Sequence, residues 1–133
     1  MKYLALYGLT ALGFFAVDFV WLTMIAKSFY DQYLGHLLRA EPLIPAAVGF
    51  YAIFLVGVVV FVVLPGLEAG SLARTLAMGA LFGLVTYATF DLTCYALFDN
   101  FPGVVVAVDL AWGMTLTAGT SAIGFAAGRW LGL

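Results

Sequence analysis

Long apolar runs broken by short polar punctuation dominate this chain, and there is no ten-residue alternation of the kind that builds a membrane barrel. A helix needs about 20 mostly apolar residues to cross a bilayer. Four stretches qualify: Tyr3–Ala26, ending at Lys27; Leu43–Leu64, between Pro42 and Pro65; Leu76–Phe98, between Arg74 and Asp99; and Gly103–Ala127, after Phe101-Pro102 and before Arg129-Trp130. The first contains Asp18, has a long apolar run and lacks a small-x-small cleavage site, so it reads as a permanent span and not as a signal peptide. Pro65-Gly66 reads as opening one turn, and Asp99-Asn100-Phe101-Pro102 as another. Short links make successive spans antiparallel neighbours, so the expected fold is an all-α membrane protein, a four-helix transmembrane bundle forming one domain over residues 1–133.

Only the first connection is long. Tyr30, Tyr33, Leu34, Leu37 and Leu38 recur there at helical spacing, with Asp31, Gln32 and Arg39 between them. That pattern fits a short interfacial helix between spans 1 and 2, or a first span that runs on beyond the bilayer. Lys2, Arg74 and Arg129 lie on the side of the termini, against Lys27 and Arg39 on the other. This three-to-two bias favours cytoplasmic termini and leaves dual insertion open.

Composition agrees with the pattern. Of 133 residues, 65% are apolar and 9% charged, against about a quarter charged in a soluble domain. The net charge of −2 carries no basic cluster, so a nucleic-acid partner is not expected. Cys94 is the single cysteine, which excludes an internal disulfide and a cysteine metal cage. His36 stands alone in the polar connection, and neither a phosphate loop nor a nucleotide fingerprint is present. No cofactor and no metal are expected; the first partner is the lipid bilayer.

Candidate chemistry lies in three intramembrane acids. An aspartate at mid-span costs roughly 2.5–3.5 kcal/mol on insertion scales. Asp18 precedes Lys27 by nine residues, Asp91 precedes Asp99 by eight, and Asp109 follows Phe101 by eight. At about 1.5 Å per residue all three lie roughly 12–14 Å below the face bearing the long connection. Tyr51, nine residues after Pro42, brings the second span to the same level. Tyr87 and Tyr95 flank Asp91 at four residues on either side, Thr93 adds a hydroxyl, and Trp21 and Trp112 each follow an aspartate by three. Phenol and indole donors can satisfy a buried carboxyl where water is scarce. Gly113, Thr117, Ser121 and Gly124 form a small-residue stripe that lets another helix approach. The segment Ala16–Trp21 is echoed by Ala107–Trp112, but on spans that run in opposite directions, so the echo reads as a coincidence of composition and not as a duplicated unit.

Two functional classes follow. In the first, Asp18, Asp91 and Asp109 bind a proton or a cation in a pocket lined by Trp21, Tyr51, Tyr87, Thr93, Tyr95 and Trp112, serving the binding or transport of a small cationic or polar solute. In the second, neutral aspartates are interhelical hydrogen-bond glue in an accessory subunit for lipid metabolism or a partner enzyme. An enzyme with an aspartate as general acid or base is the weaker third. Four spans alone enclose little interior, so a homo-oligomer is expected.

Phe15-Ala16-Val17-Asp18, Trp21-Leu22, Phe29-Tyr30, and Pro45 through Phe50-Tyr51 resemble the bacterial four-span membrane family DUF2177. Gly79 through Leu84 and Tyr87-Ala88-Thr89-Phe90-Asp91-Leu92-Thr93 look like its most distinctive signature, and Asp109 through Trp112-Gly113 resembles its last segment. The resemblance implies the four-span fold, the three-acid pattern and the bacterial inner membrane, and it supplies no substrate.

Overall fold

The computed structural model describes residues 1–133 and is 85% helical, without strands. Its four helices, α1 Lys2–Leu34, α2 Ile44–Ala69, α3 Leu72–Leu97 and α4 Gly103–Trp130, are each long and apolar enough to cross a membrane. Most of their surface is apolar and outward-facing, as it must be where lipid is the solvent.

Two helices outrun their expected bounds. Of the two forms expected for the first connection, the structure has the second: the first span runs on as α1, through a π-turn, to Leu34 and no separate interfacial helix forms. Its last turns lay Phe29, Tyr30, Tyr33 and Leu34 against a cluster of Cys94, Phe101, Val105 and Val106 at the facing ends of α3 and α4. Likewise α2 does not stop at Pro65 but runs to Ala69. Proline has no N–H, and its ring clashes with the carbonyl four residues back. Here Val59–Val63 form a π-turn just before it, which moves the hydrogen-bond pattern out of register where the proline cannot join it. The helix then closes at Gly70, which takes the left-handed conformation at φ 65° and donates to the Gly66 and Leu67 carbonyls. Ser71 follows at once and caps α3 by accepting from the Arg74 N–H at 3.1 Å.

The helix pair α3–α4 forms the spine, and small residues let it close. A Cβ on Gly83 would run into the Gly113 carbonyl, and one on Gly113 into the Tyr87 ring. Thr117 and Ser121 of the same α4 stripe face Gly83 and Gly79, and its last member, Gly124, meets Thr10 of α1 and Val63 of α2. Without a hydrophobic driving force in lipid, such backbone proximity is the main source of packing attraction. A larger cluster, including Leu6, Phe14, Phe54, Val58 and Leu116, fills the half of the bundle nearer the termini. On α1, α3 and α4 the acids fall between this cluster and the one around Cys94.

Candidate functional site

Along α1 the buried residues are Leu6, Thr10, Phe14 and Asp18, a four-residue repeat that keeps one face turned inward. The next helical segment, Leu22–Ala26, is a π-turn. In an uninterrupted α-helix Tyr30, twelve residues beyond Asp18, would lie about 120° around the axis from it. A π-turn absorbs one extra residue, which reduces that angle to about 20°. Tyr30 thereby returns to the Asp18 face, and its hydroxyl donates a hydrogen bond to Asp109 Oδ1. The contact ties the end of α1 to α4 across the mouth of the bundle.

Beneath it lies a partly open cavity of about 660 Å³. Asp18, Asp91 and Asp109 all line it, as do Trp21, Tyr51, Tyr87 and Trp112. All three acids are buried, Asp91 most deeply at 1% exposure. By strict geometry neither Asp91 oxygen accepts a hydrogen bond and the buried Nε1 of Trp112 donates none, yet the Asp109 carboxyl lies within bonding reach of Asp91 and the Trp112 indole within reach of Asp18. The Asp109 carboxyl neighbours that of Asp91, and the Tyr87 phenol lies among all three acids. No lysine or arginine lines the cavity, so the cluster is balanced only by protons or by a cation that enters. The residues do not form a group of three or more His, Cys, Asp or Glu arranged to hold a metal ion.

The echoed segments meet here. Side chains on a helix lean toward its N-terminus, so on antiparallel α1 and α4 the two tryptophans lean toward each other. Trp21 and Trp112 stack with ring centroids 4.4 Å apart and planes at 11°. The same geometry sets Trp112 beside Asp18, level with the acid of the opposite motif.

Two residues expected in the lining lie outside it. Thr93 is two positions from Asp91, about 200° around the helix, and is exposed. Tyr95 is 55% exposed and reaches toward Gly103 at the start of α4. The lining also includes Tyr30, Leu22, Phe50, Thr86, Thr89 and Phe90. Of these, Thr86 turns its hydroxyl onto the Phe82 carbonyl and Thr89 onto that of Val85, which removes both donors from the acids.

No curated protein and no solved structure matches this chain. A family model described as a predicted membrane protein matches residues 3–126, a stretch that holds all three acids, both stacked tryptophans and the whole cavity lining. This four-span chain belongs to the DUF2177 family of membrane proteins.

Proposed function

We propose that the cavity is a membrane-embedded binding site for a small cationic or polar solute, which the protein carries in exchange for protons held on the same carboxyls. One observation supports this above the rest: Asp91 is buried at 1% exposure on a cavity large enough for a small molecule, and the group beside its carboxyl is a second acid, Asp109, with no basic residue in the lining. A carboxyl kept for structure is hydrogen-bonded, because leaving a buried polar group unsatisfied costs about 1–3 kcal/mol. An acid kept for a ligand is left free to meet it. With no fixed counter-ion in the lining, proton and cation compete for the same oxygens, and that competition couples the two movements.

The accessory reading is favoured at one position. Asp109 already accepts from Tyr30, and there the acid acts as interhelical glue. The roles therefore divide, with Asp109 fastening α1 to α4 while Asp91 and Asp18 face the solute. The test is proton release in proteoliposomes loaded with a pH-sensitive dye and exposed to a panel of small amines and tetraalkylammonium salts. Wild type should release protons on addition of at least one of them, and Asp91→Asn should not. A wild-type trace no different from protein-free liposomes for every member of the panel would refute the exchange.

A further inference from the structure

The walls and mouth of the cavity narrow the class of solute, on the reading that the acids serve a cation. Calcium and magnesium want six or more oxygens, whereas the three carboxyls here are not arranged as a metal-holding group. The walls are aromatic instead: the stacked indoles of Trp21 and Trp112, with the phenols of Tyr51 and Tyr87. Ring faces attract large, weakly hydrated organic cations. A volume of about 660 Å³ lies within the roughly 300–1,000 Å³ of small-molecule sites.

The mouth gives the route. Phe50 on α2 and Phe90 on α3 line the cavity yet are 53% and 61% exposed. Each lies about 9–11 Å from the nearer end of its helix, at a depth where the surroundings are hydrocarbon. The first half of α2 packs only sparsely on α3, and the ring pair Phe54–Phe82, with centroids 5.8 Å apart, lies nearer the side of the termini than Phe50. The exposed lining rings Phe50 and Phe90 point to an opening between these helices, at the level of the acyl chains. A phospholipid headgroup is a poor occupant, since its phosphate would face the acids with no lysine or arginine to receive it. We infer that the site takes hydrophobic organic cations, which enter through this opening from the bilayer with the charge at Asp18 and Asp91 and the apolar body against the aromatic walls.

The test uses the full chain in phosphatidylcholine nanodiscs with Trp130→Phe, which leaves only the two cavity tryptophans as fluorescent reporters. Tetraphenylphosphonium, the isosteric anion tetraphenylborate and the hydrophilic tetramethylammonium are titrated in parallel. The expected result is a saturable response to tetraphenylphosphonium at least tenfold tighter than to either of the others. It should weaken at least tenfold in Asp91→Asn or Asp18→Asn, with helicity checked by circular dichroism. Tetramethylammonium binding as tightly as tetraphenylphosphonium, with the same dependence on the acids, would overturn the inference and leave the cation site standing. Equal responses to phosphonium and borate, full phosphonium affinity in both asparagine variants, or no response to either cation would overturn the inference and remove the support for a cation site as well. The comparison of the two tetraphenyl ions needs no substitution at the acids, so it stands even where a variant fails to fold.

Discussion

Replacing Asp91 with leucine should make the bundle more stable while abolishing proton release. Asp91 is 1% exposed, and beside its oxygens stands only another acid, Asp109, without an N–H or O–H donor in hydrogen-bond geometry. An unsatisfied buried polar group costs about 1–3 kcal/mol, and leucine removes the group. The added methyl groups project toward a cavity of about 660 Å³, so the overpacking penalty of about 1–3 kcal/mol for an already filled core does not arise. Leucine is also favoured over aspartate at mid-span by roughly 3–4 kcal/mol on insertion scales. That gain is measured against lipid and raises insertion yield; in the dodecyl sulfate unfolded state the carboxyl regains water, so the folding equilibrium reads only the cost of burying it unsatisfied. The net expectation is stabilisation by about 1–3 kcal/mol, or roughly 5- to 150-fold in the equilibrium constant. Asp91→Asn keeps the shape and a buried polar group without the acid, so it should gain none of the stability expected of the leucine variant. Both are measured by reversible unfolding in mixed micelles of rising dodecyl sulfate fraction, followed by circular dichroism. A leucine variant destabilised by 1 kcal/mol or more, beside an asparagine variant that still releases protons, would show that Asp91 is a structural tie and would refute the reasoning.

Three further outcomes are expected. A double-mutant cycle of Tyr30→Phe with Asp109→Leu should give a coupling of about 0.6–1.7 kcal/mol, the range of interhelical hydrogen bonds in membranes, and strict additivity would mean that the contact contributes nothing. With Cys94 replaced by serine, cysteines at Gln32 and Asn100 should be labelled from one side of the membrane and those at Lys2 and Ser71 from the other; labelling of Gln32 and Asn100 from opposite sides would undo the shared depth of the acids. Gly113→Leu should separate α3 from α4, because its side chain would occupy the place of the Tyr87 ring, and should destabilise the bundle by at least about 1–3 kcal/mol in the same micelle titration.

The spans and the common depth of the acids were legible because both rest on counting. Hydropathy marks the bilayer, and the rise per residue places Asp18, Asp91 and Asp109 at one level whatever their rotation. Azimuth was harder to read. It depends on an unbroken helical phase, and a π-turn leaves no mark of its own in the residues Leu22–Ala26. Tyr30 was therefore visible as part of an amphipathic stretch but not as a partner of Asp109. Pro65 misled for a related reason, since the rule that proline ends a helix assumes α-type hydrogen bonds around it, and the π-turn at Val59–Val63 removes that assumption. Tyr87 and Tyr95 are equivalent by spacing, each about 40° from Asp91 on opposite sides. Only packing distinguishes them, because Gly113 makes room beside Tyr87 whereas Tyr95 is left at the rim.

The π-turn in α1 also turns a distance along the chain into a code. Adding or removing one residue between Asp18 and Tyr30 changes the reach of the helix by only about 1.5 Å but swings everything beyond it by about 100°. The hydroxyl can meet Asp109 with twelve intervening steps and one looped residue, or with eleven steps and a regular helix. Twelve steps without the loop would turn the ring toward lipid. The acid and the phenol thus specify the contact only together with the number of residues between them. A chain that kept both side chains and altered that count would retain every group of the site and lose the tie across its mouth.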